Sequence, residues 1–388
     1  MYKVALALAT VLIFACGGES TDTGNGSTGG QFTVPTPTPT LPAPTPVALL
    51  ATTVSDLVQP REFHTSILLP DGNVIVIGGI SRGVQLVSTE IYDINSGKWN
   101  STGDMIQGRS EHAAVLLKNG TILATGGGRS STPIASAELY NPDTGVWTNT
   151  EPMNQPRIFF RLVALDDGRA LAIGGRTTGR KDLAKAELYN PETGEWTPAS
   201  EMSMPRSRHT ATVLPDGRVL VTGGGNKSDF TPTAEIYDPT SDTWAVTQDM
   251  SSIRAEHEAT VLGNGTVLVA GGFGGSNLLA TSETWDPVTG IWSPAGQLSQ
   301  DLHRHRIVTI SNGNALVMGG FTQSSPSHVV VEVEEYDQTA KTWALVGSII
   351  SERRNHSLTV LEDGSVLVIS GESNVGRMQP TSELYHPE

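Results

Sequence analysis

The chain has 388 residues, a formal charge of −15, 37% hydrophobic residues, 42 Gly and 23 Pro. An acidic balance without a run of Lys or Arg excludes a nucleic-acid binder, which needs a basic footprint to displace counterions. A single cysteine, Cys16, excludes an intramolecular disulfide and a cysteine-based metal site. Abundant Gly and Pro beside modest apolar content suits many short strands and tight turns rather than helices.

Lys3 gives a positive start, and Val4 to Ala15 form an apolar run of twelve residues. That is short of the ~20 residues a transmembrane helix needs. Ile13-Phe14-Ala15-Cys16 sets a small residue before the sole cysteine and resembles a bacterial lipobox. The resemblance implies a signal peptide at 1–15 and lipidation of Cys16. With Gly17 rather than Asp next, it implies the outer membrane or cell surface where the cell has one. Several acyl chains, at ~0.8 kcal/mol per buried CH₂, hold a protein stably on a lipid surface. Residues 16–46 continue as a Gly/Ser/Thr-rich and then Pro/Thr-rich stretch, expected to be a disordered tether.

From Val47 to Glu388 a repeat takes over. Its frame is Arg-x-x-His, an alternating stretch, Asp/Asn-Gly, an apolar run into Gly-Gly, then Glu-x-Tyr and a Trp. Aligned on Gly78, Gly126, Gly174, Gly223, Gly271, Gly319 and Ser370, the spacings are 48, 48, 49, 48, 48 and 51 residues. A fixed period in this range signals a solenoid or propeller. The alternation predicts one strand. Asp71-Gly72 and its equivalents predict a two-residue type I′ turn into a second strand, because both central residues of that turn need positive φ. Glu-x-Tyr predicts a third strand and Trp a fourth, which makes one blade.

This pattern of Gly-Gly, Tyr and Trp resembles the kelch repeat, in the branch related to the galactose oxidase propeller. The resemblance implies an all-β, seven-bladed β-propeller over 47–388. The seventh unit has no Trp strand after Tyr385, and Ala51 falls where a Trp stands in the other units. Val47–Val54 is therefore expected to supply the last outer strand, a three-plus-one closure that leaves no pairing edge. Copper-radical oxidases of the related family need a Cys–Tyr cross-link, and Cys16 alone, acylated as expected, cannot supply one. Sialidase-type Ser-x-Asp-x-Gly-x-Thr-Trp boxes do not occur. No cofactor or metal is called for, and a monomer is expected.

The repeated polar residues read as scaffold: Arg61/His64, Arg109/His112, Arg206/His209, Arg254/His257 and Arg353/His356, with His305 after Leu302 and Arg157 before Phe160. Each Arg is expected to pair with the Glu of Glu-x-Tyr, and each His to hydrogen-bond between blades. The Gly-Gly pairs end strands rather than open helices, so they are read as close-packing points and not phosphate cradles. Specificity on a repeated scaffold sits where the repeats disagree. Near the Arg these positions are Glu62, Glu111, Phe159, Arg208, Glu256, Arg304 and Asn355. After the glycines they are Arg82, Arg129, Arg176 and Phe273. Arg, Glu and aromatic residues suit a polar ligand. The reading is a membrane-tethered module that binds a protein or a glycan. The alternative is a sugar-acting enzyme resembling kelch-type sialic-acid epimerases, with Glu111 or Glu256 and Arg208 working in the channel mouth.

Overall fold

The computed structural model describes residues 50–387, apart from 130, 131, 227, 228 and 325. The expected signal segment, Cys16, the expected tether and residues 47–49 lie outside the described residues. The described chain forms seven antiparallel four-stranded sheets. The first blade is Thr65–Leu68, Val74–Ile77, Thr89–Asp93 and Lys98–Ser101, paired in that order from the channel outwards. The seventh joins Ser357–Val360, Val366–Ile369 and Ser382–Tyr385 to Ala51–Thr53, so its outer strand comes from the other end of the sequence.

The second strand of every blade is a continuous apolar or near-apolar run such as VIVI or VLVA, and all four of its residues are buried in each case. A strand pressed on both faces has no polar side to show. Hydrophobic clusters fill each gap between consecutive blades. The last unites Leu361, Leu367 and Ile369 of blade 7 with Val74, Val76 and Tyr92 of blade 1. Ala51 faces Tyr385 across the seam. In five other blades the equivalent Tyr faces a Trp, with ring centroids 5.0–5.3 Å apart. Blade 5 sets Trp285 opposite Trp292.

The turns differ from the expected type I′. Only the Gly has positive φ (Gly72, +84°). The Gly72 N–H donates to Leu69 O at 3.0 Å, and the Leu69 N–H to Asn73 O at 2.8 Å. That is a three-residue loop, a type I turn completed by a glycine bulge. Asp71 keeps an ordinary backbone, and its Oδ1 accepts the Asn73 N–H at 3.1 Å. The extra residue, Pro70 in this blade, supplies the turn that Asp-Gly alone does not.

Each Arg is a hub. Arg61 is fully buried, and its Nη2 meets Glu90 Oε1 at 2.5 Å. Its Nη1 donates to the carbonyls of Gly78 and Ser88 at 2.8 and 2.9 Å. Glu90 in turn accepts the N–H groups of Val58 and Gln59 in the connection entering the blade. Five other pairs repeat this: Arg109–Glu138, Arg157–Glu187, Arg206–Glu235, Arg254–Glu283 and Arg353–Glu383. Blade 6 has Leu302 instead of Arg, and Glu334 takes both an N–H and the hydroxyl of Ser299.

The Gly-Gly pair lies between two histidine positions. A Cβ on Gly223 would sit 2.8 Å from the His257 ring of the next blade, and one on Gly224 would sit 2.7 Å from His209 Cβ in its own. The second Gly of each pair donates its N–H to the carbonyl of the next blade's hub residue, from Gly79 to Arg109 (2.8 Å) round to Gly371 and Arg61 (3.0 Å). Histidine hydrogen bonds across blades are fewer than expected. His64 reaches Ser357 Oγ at 2.8 Å and His257 reaches Thr222 Oγ1 at 2.9 Å. Both ring nitrogens of His112, His209 and His356 are buried without a hydrogen-bond partner. Their rings serve by packing over glycine.

Two outcomes test this architecture. Deleting residues 47–56 removes the outer strand of blade 7 and should lower the melting temperature sharply; an unchanged transition would show that the seam carries no stability. The second concerns pH. Burial, reinforced by neighbouring Arg charge, lowers the proton affinity of the histidines, His112 to about 3. His305 falls to about 4, also chiefly by burial. The unfolded chain binds those protons near pH 6.5, whereas the folded one does not. Stability is therefore fully present above about pH 6.5 and is lost as pH falls toward the folded values. Glu62, Glu111 and Glu334 have raised values and act in the opposite sense, but six histidines outnumber them. Melting temperatures should drop steadily from pH 6.5 to 4; a flat profile would contradict the buried neutral rings.

Candidate functional site

Two residues beyond each hub the chain makes the same turn. Phe63, Glu111, Phe159, Arg208, Glu256, Arg304 and Asn355 all have φ between 52° and 57°. This left-handed conformation costs a non-glycine L-residue roughly 1–2 kcal/mol. In five of the seven it aims the N–H at a carbonyl of the blade before. Glu111 donates to Phe63 O at 3.3 Å, Arg208 to Phe159 O at 3.0 Å, and Glu256 to Arg208 O at 3.1 Å. Asn355 donates to Arg304 O at 3.4 Å and Phe63 to Asn355 O at 3.3 Å. The side chains of all seven line one cavity of about 290 Å³ at the channel mouth.

Six of these seven positions coincide with the residues singled out in the sequence. The first does not: Glu62 lies one residue short, and Phe63 is the equivalent of Glu111. Glu62 instead accepts a hydrogen bond from Asn355 Nδ2 at 2.8 Å from behind the ring. The residues after the glycines do not line the cavity. Arg82 is exposed, and Phe273 meets Phe230 edge-on at 5.6 Å. Arg176 is bound to Asp182 at 2.7 Å and to Ser207 at 3.2 Å. Arg129 falls in the short strand Gly128–Arg129.

A second tier escaped the sequence reading. Arg161, Glu258 and Arg306, each two residues further along its strand, also line the cavity. The signal was present in the alternation, since residues two apart in a strand share a face.

The carboxyls of the mouth are driven apart. Burial pushes Glu256 up, but the hydrogen bond from His303 and the charges of Arg208 and Arg304 outweigh it and hold it at about 2. Arg208 Nε lies 2.8 Å from Glu256 Oε1, and Arg304 Nε 3.6 Å from Oε2. Glu111 has no such partner, and its Oε2 is buried without a hydrogen bond. Burial pushes it up to about 7, against the pull of Arg208 and Arg304 and with the push of Glu256 and Glu62. The Arg208 guanidinium covers the Phe159 ring, 4.2 Å from its centroid.

The kelch motif model matches residues 109–154, 160–203, 205–251 and 257–299, which cover most of blades 2–5. Among solved structures, a fungal alcohol oxidase described as showing catalytic diversity among the AA5 family, in complex with copper, superposes with a TM-score of 0.70. It is 15% identical, over 87% of this chain and 76% of its own. YjhT superposes with a TM-score of 0.60 at 16% identity, over 75% of this chain and 99% of its own. At such identities the likeness is one of fold alone. No curated protein sequence matches. Among the described residues no group of three or more His, Cys, Asp or Glu that could hold a metal ion occurs. The histidine rings are packed between blades rather than convergent.

Glu111→Gln tests the carboxyl assigned to the mouth. A raised value means the folded state holds a proton that the unfolded state has released between about pH 4.5 and 7, so ionisation costs stability above that window. The variant should melt higher than the parent at pH 8 and level with it at pH 5; the same difference at both pH values would contradict the assignment. Four matched kelch motifs inside a closed ring of seven four-stranded blades, six with Gly-Gly and six with Glu-x-Tyr, make the chain a kelch-repeat β-propeller.

Proposed function

We propose that the protein is a lipid-anchored extracytoplasmic binding module whose channel mouth takes the acidic end of a glycan. The observation that carries this is the occupancy of the strained ring. The scaffold needs a left-handed turn there, which Gly or Asn supplies at least cost, yet six of seven positions hold Phe, Glu or Arg. Side chains kept at such a cost, and spent neither on core nor on hub, are available to a ligand. The mouth is also cationic where the chain is not. Arg161, Arg208, Arg304 and Arg306 face Glu111, Glu256 and Glu258, one cation in excess, in a protein of formal charge −15, which focuses attraction for anions on one opening. A cavity of about 290 Å³ suits one sugar ring better than an extended chain. The Gly/Ser/Thr-rich and Pro/Thr-rich composition of residues 16–46 supports reading that stretch as the link between the anchor and the module.

A second reading, proton transfer on a sugar, is favoured by one observation: two carboxyls in one cavity at about 7 and about 2. A pair driven apart in this way can divide acid and base roles. Glycan-array binding combined with a mutarotation assay separates the readings. Binding of acidic glycans, weakened about 10- to 100-fold in Arg208→Met, with no turnover, supports the module. Turnover that vanishes in Glu111→Gln while binding persists favours the enzyme. Capture that mouth substitutions leave unchanged overturns both; a protein loop with an acidic tip, if captured instead of glycans, overturns the glycan.

A further inference from the structure

The lower tier holds one more cation than anion. Glu258 Oε1 receives Arg306 Nη1 at 2.7 Å. Arg161 has a guanidinium that cannot shed its proton, and among the described residues it makes no hydrogen bond and no ion pair. Two Arg against one Glu leave a single positive charge at this level. Burial works against that charge, and Glu258 offsets it only from a distance. An unpaired cation inside a channel is costly unless something arrives to meet it. On the neighbouring blade, in the same cavity, Glu111 Oε2 is also buried without a hydrogen bond. The lower-tier positions of the remaining blades are small, Thr65, Ala113, Thr210 and Ser357, so the floor beside Arg161 is open. At the rim Phe159 is covered by Arg208, whereas Phe63 also lines the cavity and has no aromatic or cationic partner among the described residues.

We propose that Arg161 anchors the single carboxylate of an acidic sugar, that Glu111 reads a hydroxyl of the same molecule, and that Phe63 lies against its ring. This rests on the binding reading above and narrows it to a chemical class. A planar guanidinium matches a carboxylate bidentately. A phosphate monoester carries about −1.5 to −2 at neutral pH, more than the one spare charge of this tier, so the carboxylate is the better match.

Calorimetric titration of the whole protein with glucuronate, glucose and glucose 1-phosphate tests it. Glucuronate should bind saturably, with glucose at least tenfold weaker and glucose 1-phosphate weaker than glucuronate. Arg161→Met should lose at least tenfold and Arg161→Lys should recover part of that. Arg218→Met, paired with Asp216 on the opposite face, should bind as the parent does. Glu258→Gln removes the competing anion and should tighten glucuronate binding, a gain that a misfolded variant could not give. Parental affinity in Arg161→Met, glucose binding equal to glucuronate, weaker binding in Glu258→Gln, or no saturable glucuronate binding would each overturn the proposal. Acidic glycans captured in the mouth, weakened in Arg208→Met but unchanged in Arg161→Met, would overturn it while leaving the binding reading in place. Glucuronate binding untouched by either Arg161→Met or Phe63→Ala would overturn both.

Discussion

A buried guanidinium–carboxylate pair, present in six of the seven blades, decides where each connection between blades runs. The Arg ties the end of its own second strand to its third, and the Glu grips the incoming loop through backbone N–H groups. Removing one partner of such a pair costs about 3–5 kcal/mol, because the other is left charged in the interior. Blade 6 keeps the geometry without the cation: Ser299 satisfies Glu334, and Leu302 still offers its carbonyl to Gly272 at 2.7 Å. The backbone link is thus the invariant part, and the side-chain pair fixes it.

With the hub in place the next residues have little freedom. Three positions on, His or Phe must lie against a bare glycine of the blade before. Two positions on, the chain must take a left-handed turn to reach its neighbour's carbonyl. The ring at the mouth is therefore a product of the scaffold, whereas the side chains on it are not. That separation divides the charged groups of the propeller. Hub ions are paired within 2.9 Å or closer and have no spare capacity. Mouth ions are crowded, partly paired and unequal from blade to blade, which is the condition of a site awaiting something polar.

The ring of blades was legible in the sequence because the same frame returns seven times, so weak strand signals reinforce one another. Ala51 opposite Tyr385 could be found by counting back from Arg61 alone. The turn type was not legible from Asp-Gly, since the residue that lengthens the loop, Pro70 in blade 1, lies outside the dipeptide. The residue two beyond Arg61 is Phe63, and the two-residue spacing from the hub position, kept in the other six repeats, is the signal that separates it from Glu62. Arg161, Glu258 and Arg306 were overlooked because they sit inside a strand, where variation reads as tolerance. Only the convergence of three blades shows that they face one space. The variation after the glycines had the opposite fate: Arg176 is spent on Asp182 and Ser207, a contact that sequence spacing does not reveal.

The account turns on a mouth in which one carboxyl, that of Glu111, is held away from water without a hydrogen bond from the protein. The carboxyl carbon of Glu111, followed by ¹³C NMR as a function of pH, reports on that directly. A midpoint near 7 is the predicted result. Titration in the ordinary glutamate range, near 4.5, would mean that the mouth is an open, solvated rim and would contradict the account.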